Sequence, residues 1–175
     1  HSNLRRQRQM CIRDSINTAK IWRAKTNLRL ENENIALKNL NAILAKDGLS
    51  NENHVATFST LAQLYMNLEE IDSALVHLEN AALITKDKAY KGRLHFIQGQ
   101  LYNKQGLTDS AQTAFQKVID LKRKVPRTYR VNSFLEQILN FDYKRGDLLA
   151  LDIFLETLVE DRENRPYLDR IYHVM

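Results

Sequence analysis

The chain has 175 residues, 43% hydrophobic and 27% charged, with one cysteine, five glycines and two prolines. Gly and Pro together make about 4% of it against roughly 12% in average usage, too few turn residues for a sheet protein of this length. No run of 18 apolar residues exists to span a membrane, and one cysteine makes no internal disulfide, so composition predicts an all-α chain with its own core.

Residues 5–15 read RRQRQMCIRDS, a string without helical period that back-translates, in one frame, to the transposase-type adapter used to prepare sequencing libraries. Residues 1–15 are therefore expected to be an appended, disordered and dispensable segment, with the natural start and any export signal upstream. Setting them aside removes four arginines and one aspartate, and the net charge falls from +5 to +2 over the remaining 160 residues. The basicity that would suggest a nucleic-acid partner largely disappears. Cys11 leaves with the segment, and the preceding Arg8-Gln9-Met10 is not the small, apolar approach to a lipidation cysteine.

The remainder, residues 16–175, repeats itself and reads as one array. Ala24, Ala62 and Gly99 fall in one column, Ala36, Ala74 and Ala111 in a second, and Leu40, Leu78 and Phe115 in a third. A period a little above 34 residues, with two fixed small positions and a large apolar residue four after the second, is the tetratricopeptide pattern. The small residues let the two helices of a hairpin approach closely. Tyr65 and Tyr102 fill the gap between them, with Asn27 in that place in the first copy, and Gly106 makes the turn, where Glu69 stands one copy earlier. Units are expected over about 16–49, 54–88, 91–124 and 128–163. In the fourth, Leu151 replaces the small alanine and the first helix is placed at roughly 129–143. PYLDRIYHVM then starts a partial fifth unit, 165–175, whose helix has no partner for its apolar face. The predicted fold is a right-handed helical solenoid of about four helix pairs plus one helix.

The run YKGRLHFIQGQLYNKQGLTDSAQTAFQKVIDLK, the following RKVPRTYRVN and above all the closing LVEDRENRPYLDRIYHVM resemble the tetratricopeptide region of the PorW/SprE lipoproteins of Bacteroidetes type IX secretion and gliding motility. The resemblance covers Ile16 to Met175. It implies a non-enzymatic scaffold at the periplasmic face of the outer membrane, held there only through a lipid anchor, with secretion-machinery proteins as partners. The alternative is a general tetratricopeptide adaptor or co-chaperone-like peptide-binding module, in the cytoplasm or the periplasm.

The residues offer chemistry no foothold. No phosphate-binding, dinucleotide-binding or nucleophile-elbow motif occurs, and His54, His77, His95 and His173 lack metal-ligand spacing, so neither enzyme activity nor a cofactor or metal is expected, and the histidines are read as surface or groove residues. Lys122, Arg123, Lys124, Arg127 and Arg130 form a basic run that reads as a solvated loop or, alternatively, as a patch for an acidic partner. The partner-binding surface is expected on the successive first helices. Its residues would be Ile21, Lys25, Leu28 and Arg29, then Ser59, Gln63, Met66 and Asn67, then Phe96, Gln100, Asn103 and Lys104, with Glu136, Asn140, Tyr143 and Lys144 in the fourth unit. Mixed apolar and amide side chains suit an extended peptide or a partner helix.

Overall fold

The computed structural model describes residues 2–144 and 146–175, and among these there are nine α-helices, two 3-10 segments and no strand. Contacts divide the chain into two compact units, His1–Lys86 and Asp87–Met175.

The first unit holds two hairpins, α1 (Ser2–Arg29) with α2 (Glu33–Leu44) and α3 (Asn51–Asn67) with α4 (Ile71–Ile84). Ala24, Ala36, Ala62 and Ala74 are all fully buried, so each hairpin has a methyl group at the closest approach of its helices. Leu28, Leu40, Leu61 and Leu64 close the core around them, with Phe58 and Tyr65 packed against its edge. Ser50 caps α3 by accepting the Asn53 N–H, as a serine just outside a first turn does.

Disorder over residues 1–15 is not what the structure shows, because α1 runs unbroken from Ser2. Arg, Gln and Met favour helix, and no glycine or proline interrupts the run. Asn53 holds this stretch by donating to the backbone carbonyl and carboxylate of Asp14 at 3.3 and 3.2 Å. Arg5, Arg8, Gln9, Cys11, Ile12 and Arg13 are exposed.

The second unit holds α5 (Lys88–Lys104) with α6 (Thr108–Asp120), α7 (Arg127–Leu139) with α8 (Leu148–Glu160), and a closing α9 (Leu168–Val174). Asp87 caps α5 through the N–H groups of Ala89 and Tyr90, and Asp147 caps α8 through that of Ala150. At the first hairpin the Phe115 ring, fully buried, lies over Gly99 and beside Phe96, whose ring lies 5.7 Å from it and 5.5 Å from Tyr129. Only a residue without a side chain fits beneath that ring.

One turn closes three hairpins. The N–H groups of Asn32, Glu70 and Leu107 reach back to the carbonyls of Asn27, Tyr65 and Tyr102, each at 2.9 Å. This bond requires a left-handed residue just before the donor. Gly106 adopts it at φ 74°, and Glu31 and Glu69 adopt it at 58° and 61°. Two hairpins thus hold glutamate in a conformation that costs a residue with a Cβ about 1–2 kcal/mol.

The fourth repeat departs from the expected register. Its first helix ends at Leu139 instead of near Tyr143, and Phe141 folds against Gly146, where no Cβ would fit, with the Tyr143 ring 5.3 Å away. Phe134 and Phe154 meet edge to face at 5.1 Å between α7 and α8, filling the wider gap that the loss of a small residue opens. The expectation of an unpartnered last helix is also corrected. Ile171 of α9 is fully buried with Leu135, Ile138, Leu155 and Leu158 of α7 and α8. The 3-10 segment Arg162–Tyr167 carries the chain to that position. There Asn164, 1% exposed, donates to the Leu158 carbonyl at 2.8 Å and accepts from Arg127 Nε at 2.9 Å. Arg127 also pairs with Asp161 and Glu163, and the Glu163 N–H, then Arg127, hold the Asp161 carboxyl below the usual carboxylate range.

Candidate protein-binding surface

The expected binding residues divide by column. Ile21 and Phe96 stand three residues before the small residue of their helix, and Leu28 stands four after; all three are buried. At 100° per residue, these two columns lie about 50° round the helix from the small residue, facing the neighbouring first helix. They form the seam between hairpins, and of the three only Phe96 also borders an open cleft. Ser59 and Met66, in the same columns, are half-buried, and the Ser59 hydroxyl is used within α3, donating to the Val55 carbonyl at 2.7 Å.

The columns one and five residues after the small residue face outward. In the first unit Arg29, Gln63 and Asn67 are exposed and Lys25 is half-buried, with its ammonium 4.7 Å from the exposed Trp22 ring and the Gln63 amide donating to Asn67 at 2.8 Å. In the second unit Gln100 and Lys104 are exposed. Asn103 is half-buried and occupied: it donates to Glu136 at 2.9 Å and accepts from Asn140 at 2.8 Å. Gln112 adds a bond to the Asn140 carbonyl, and Gln137 donates to the Gln112 carbonyl and to Gln116. Glu136 and Asn140 therefore serve this inter-hairpin seam, while Tyr143 and Lys144 lie in the loop after α7, exposed.

A cleft of about 590 Å³ opens in the second unit between α5, α7 and α9. Phe96 and Leu135 make its apolar floor, and Gln100, Asn132, Arg170 and His173 stand along its walls. Arg170 is held to Asn132 at 3.1 Å. Glu136 and Asp169 line it as well, so amides and charges of both signs stand above the apolar floor, a mixture able to bond the side chains and main chain of an extended segment.

The reading of the histidines as surface or groove residues is corrected for His77 and His95. His95 is buried with Nδ1 2.7 Å from Gln98 Oε1. His54, Phe58, His77 and Tyr65 form a continuous stack of rings, and burial pushes the His77 imidazole below its ordinary range. Sequence spacing could have paired His54 with Phe58, four apart on one helix, but the join to α4 depends on how the hairpin folds. Among the described residues no group of His, Cys, Asp and Glu could hold a metal ion, and no helix is long and apolar enough to cross a membrane.

A family profile described as a tetratricopeptide repeat-like domain matches residues 15–137, more than half of the chain. The chain belongs to the tetratricopeptide repeat-like family. Among curated proteins no relative matches it. Tetratricopeptide repeat-like domains are protein–protein interaction modules and typically non-catalytic scaffolds.

Proposed function

We propose that the chain is a scaffold segment of the type IX secretion and gliding machinery of Bacteroidetes, acting at the periplasmic face of the outer membrane by binding other components of that machinery. The reading rests on the closing segment LVEDRENRPYLDRIYHVM, which lies beyond the residues matched by the repeat family. Its residues hold it in place through polar contacts. Asn164 and the pairs that Arg127 makes with Asp161 and Glu163 fix the segment's path, Thr128 bonds the Tyr167 hydroxyl at 2.7 Å, and Arg170 bonds Asn132. A generic repeat needs only small and large apolar columns; this segment adds a polar lock, and the resemblance to the PorW/SprE family rests on its sequence.

The test is genetic and spatial. Deleting the encoded repeats in the source organism should abolish both gliding and secretion of type IX cargo, and the upstream reading frame should supply a signal peptide ending in a lipidation cysteine. Normal gliding and secretion in the deletion strain would refute the assignment and leave a general tetratricopeptide adaptor. For the surface itself, replacing Gln100 and Lys104 by alanine should weaken co-purification of secretion components without altering the melting curve.

A further inference from the structure

A second opening in the Asp87–Met175 unit lies away from the α5–α7–α9 cleft. It is a cleft of about 960 Å³ bounded by the end of α6, the 3-10 turn Lys122–Lys124, the start of α7 and the Asp161–Glu163 stretch. We propose that this basic cleft docks an acidic, carboxylate-rich segment of a protein partner. The proposal rests on the reading of the chain as a protein-binding module and adds the chemistry of one partner.

Six cations and three carboxylates line the cleft. Arg127 is committed to Asp161, Glu163 and Asn164, and forms a fixed wall. Asp120 accepts from the Gln116 amide at 2.8 Å. Among the described residues none of Lys88, Lys122, Arg123, Lys124 and Arg130 makes an ion pair. The Nε of Arg130 is moreover buried with no hydrogen-bond partner. A buried donor stripped of water and given no acceptor is a cost that a ligand oxygen would relieve. Lys122 holds φ 52°, where glycine would be the less strained residue.

The surroundings select among anions. Asp161 and Glu163 along one wall repel an unbroken phosphate chain but can be avoided by carboxylates spaced along a peptide. No aromatic ring lines the cleft to stack a base, whereas Ile119 and Leu121 offer apolar surface to side chains between the acids. Each exposed charge pair contributes little by itself and is screened beyond about 8 Å at physiological salt. Binding therefore depends on the set of cations acting together and on ionic strength.

The test uses the full chain and a fluorescein-labelled peptide of about ten residues alternating Glu and Asp with Ser and Leu, read by anisotropy. Combining Lys122→Gly, Arg123→Ala and Lys124→Ala should weaken binding about tenfold or more, Arg130→Gln should weaken it several-fold, and added salt should weaken it steadily. Removing Arg93 and Lys117, exposed cations of the same unit outside the cleft, should leave it unchanged. Circular dichroism melts accompany each variant; Lys122→Gly relieves the backbone, so loss of binding with an intact melt supports the cleft. Equal weakening by Arg93→Ala with Lys117→Ala, equal binding of a charge-free Gln and Ser peptide, or displacement by a single-stranded oligonucleotide at matched charge concentration would each overturn it. Normal secretion in the deletion strain together with intact acidic-peptide binding would sink the secretion reading alone, and the reverse pairing would sink only this proposal.

Discussion

Gly99→Ala is the sharpest probe of the repeat packing. A Cβ at this position would stand 2.5 to 2.7 Å from three carbons of the Phe115 ring. Carbon contacts settle at about 3.5–4.0 Å, so the ring must retreat by about 1 Å. Retreat is blocked by Phe96, which is itself braced by Tyr129. Overpacking of this kind costs about 1–3 kcal/mol, against about 1 kcal/mol returned by replacing glycine inside a helix. The net loss of up to about 2 kcal/mol corresponds to a fall in Tm of up to about 8 °C for a chain of this length. The assay is thermal melting followed by helical circular dichroism on Gly99→Ala, Phe115→Leu and the double variant. Phe115→Leu removes the ring edge that the new methyl strikes, so the double should be less unstable than the sum of the singles by about 0.5 kcal/mol or more. A Gly99→Ala melt at or above the parent's, or strictly additive losses, would refute the close approach of α5 and α6.

Three further outcomes follow from the same coordinates. Phe96→Ala should destabilise the fold by about 3 kcal/mol, read as a lowered Tm, because the ring is buried between Phe115 and Tyr129; an unchanged melt would return Phe96 to the groove. Glu69→Gly should raise stability by up to about 1 kcal/mol in urea titration and Gly106→Ala should lower it by about the same, since both positions are left-handed; identical midpoints would contradict the shared turn. Burial holds the His77 pKa below 6.5, so its neutral form is favoured in the fold. The associated stability is complete above the unfolded value and is lost as pH falls from there through the folded value, where the unfolded chain binds the proton first. Urea midpoints should drop between about pH 7.5 and 5.5, and His77→Phe should flatten that drop; an equal drop in the variant would place the titration elsewhere.

The hairpins were legible because their signal is steric and local. Ala24, Ala36, Ala62, Ala74 and Ala111 are fully buried, and Gly99 lies under a ring, since two backbones can approach only where side chains are small. The outward face of the first helices was legible only in part. A first helix packs on its own partner and also on the next first helix, and from sequence the seam and the open face differ by only about 70° of rotation. Ile21, Leu28 and Phe96 are buried at the seam, with Phe96 also bordering the cleft, whereas Gln63, Gln100 and Lys104 are exposed. The shortened α7 was hidden for another reason. Its end is set by Phe141 closing on Gly146, a contact across a loop that helical periodicity does not encode.

The seam between the α5–α6 and α7–α8 hairpins has unlike ends. Near the start of α7 it is dry, closed by Phe96, Phe115 and Tyr129; near the end of α7 it is held by the amides of Asn103, Asn140, Gln112 and Gln137. Parting the rings exposes carbon to water, but an amide that leaves its neighbour can bond water instead, at a net cost of only about 1 kcal/mol. The amide end of the seam is therefore the cheaper one to part, like the free edge of a book whose spine is aromatic. Widening there would change the spacing of Gln100 and Lys104 from the residues of α7 while the hydrophobic spine stayed shut.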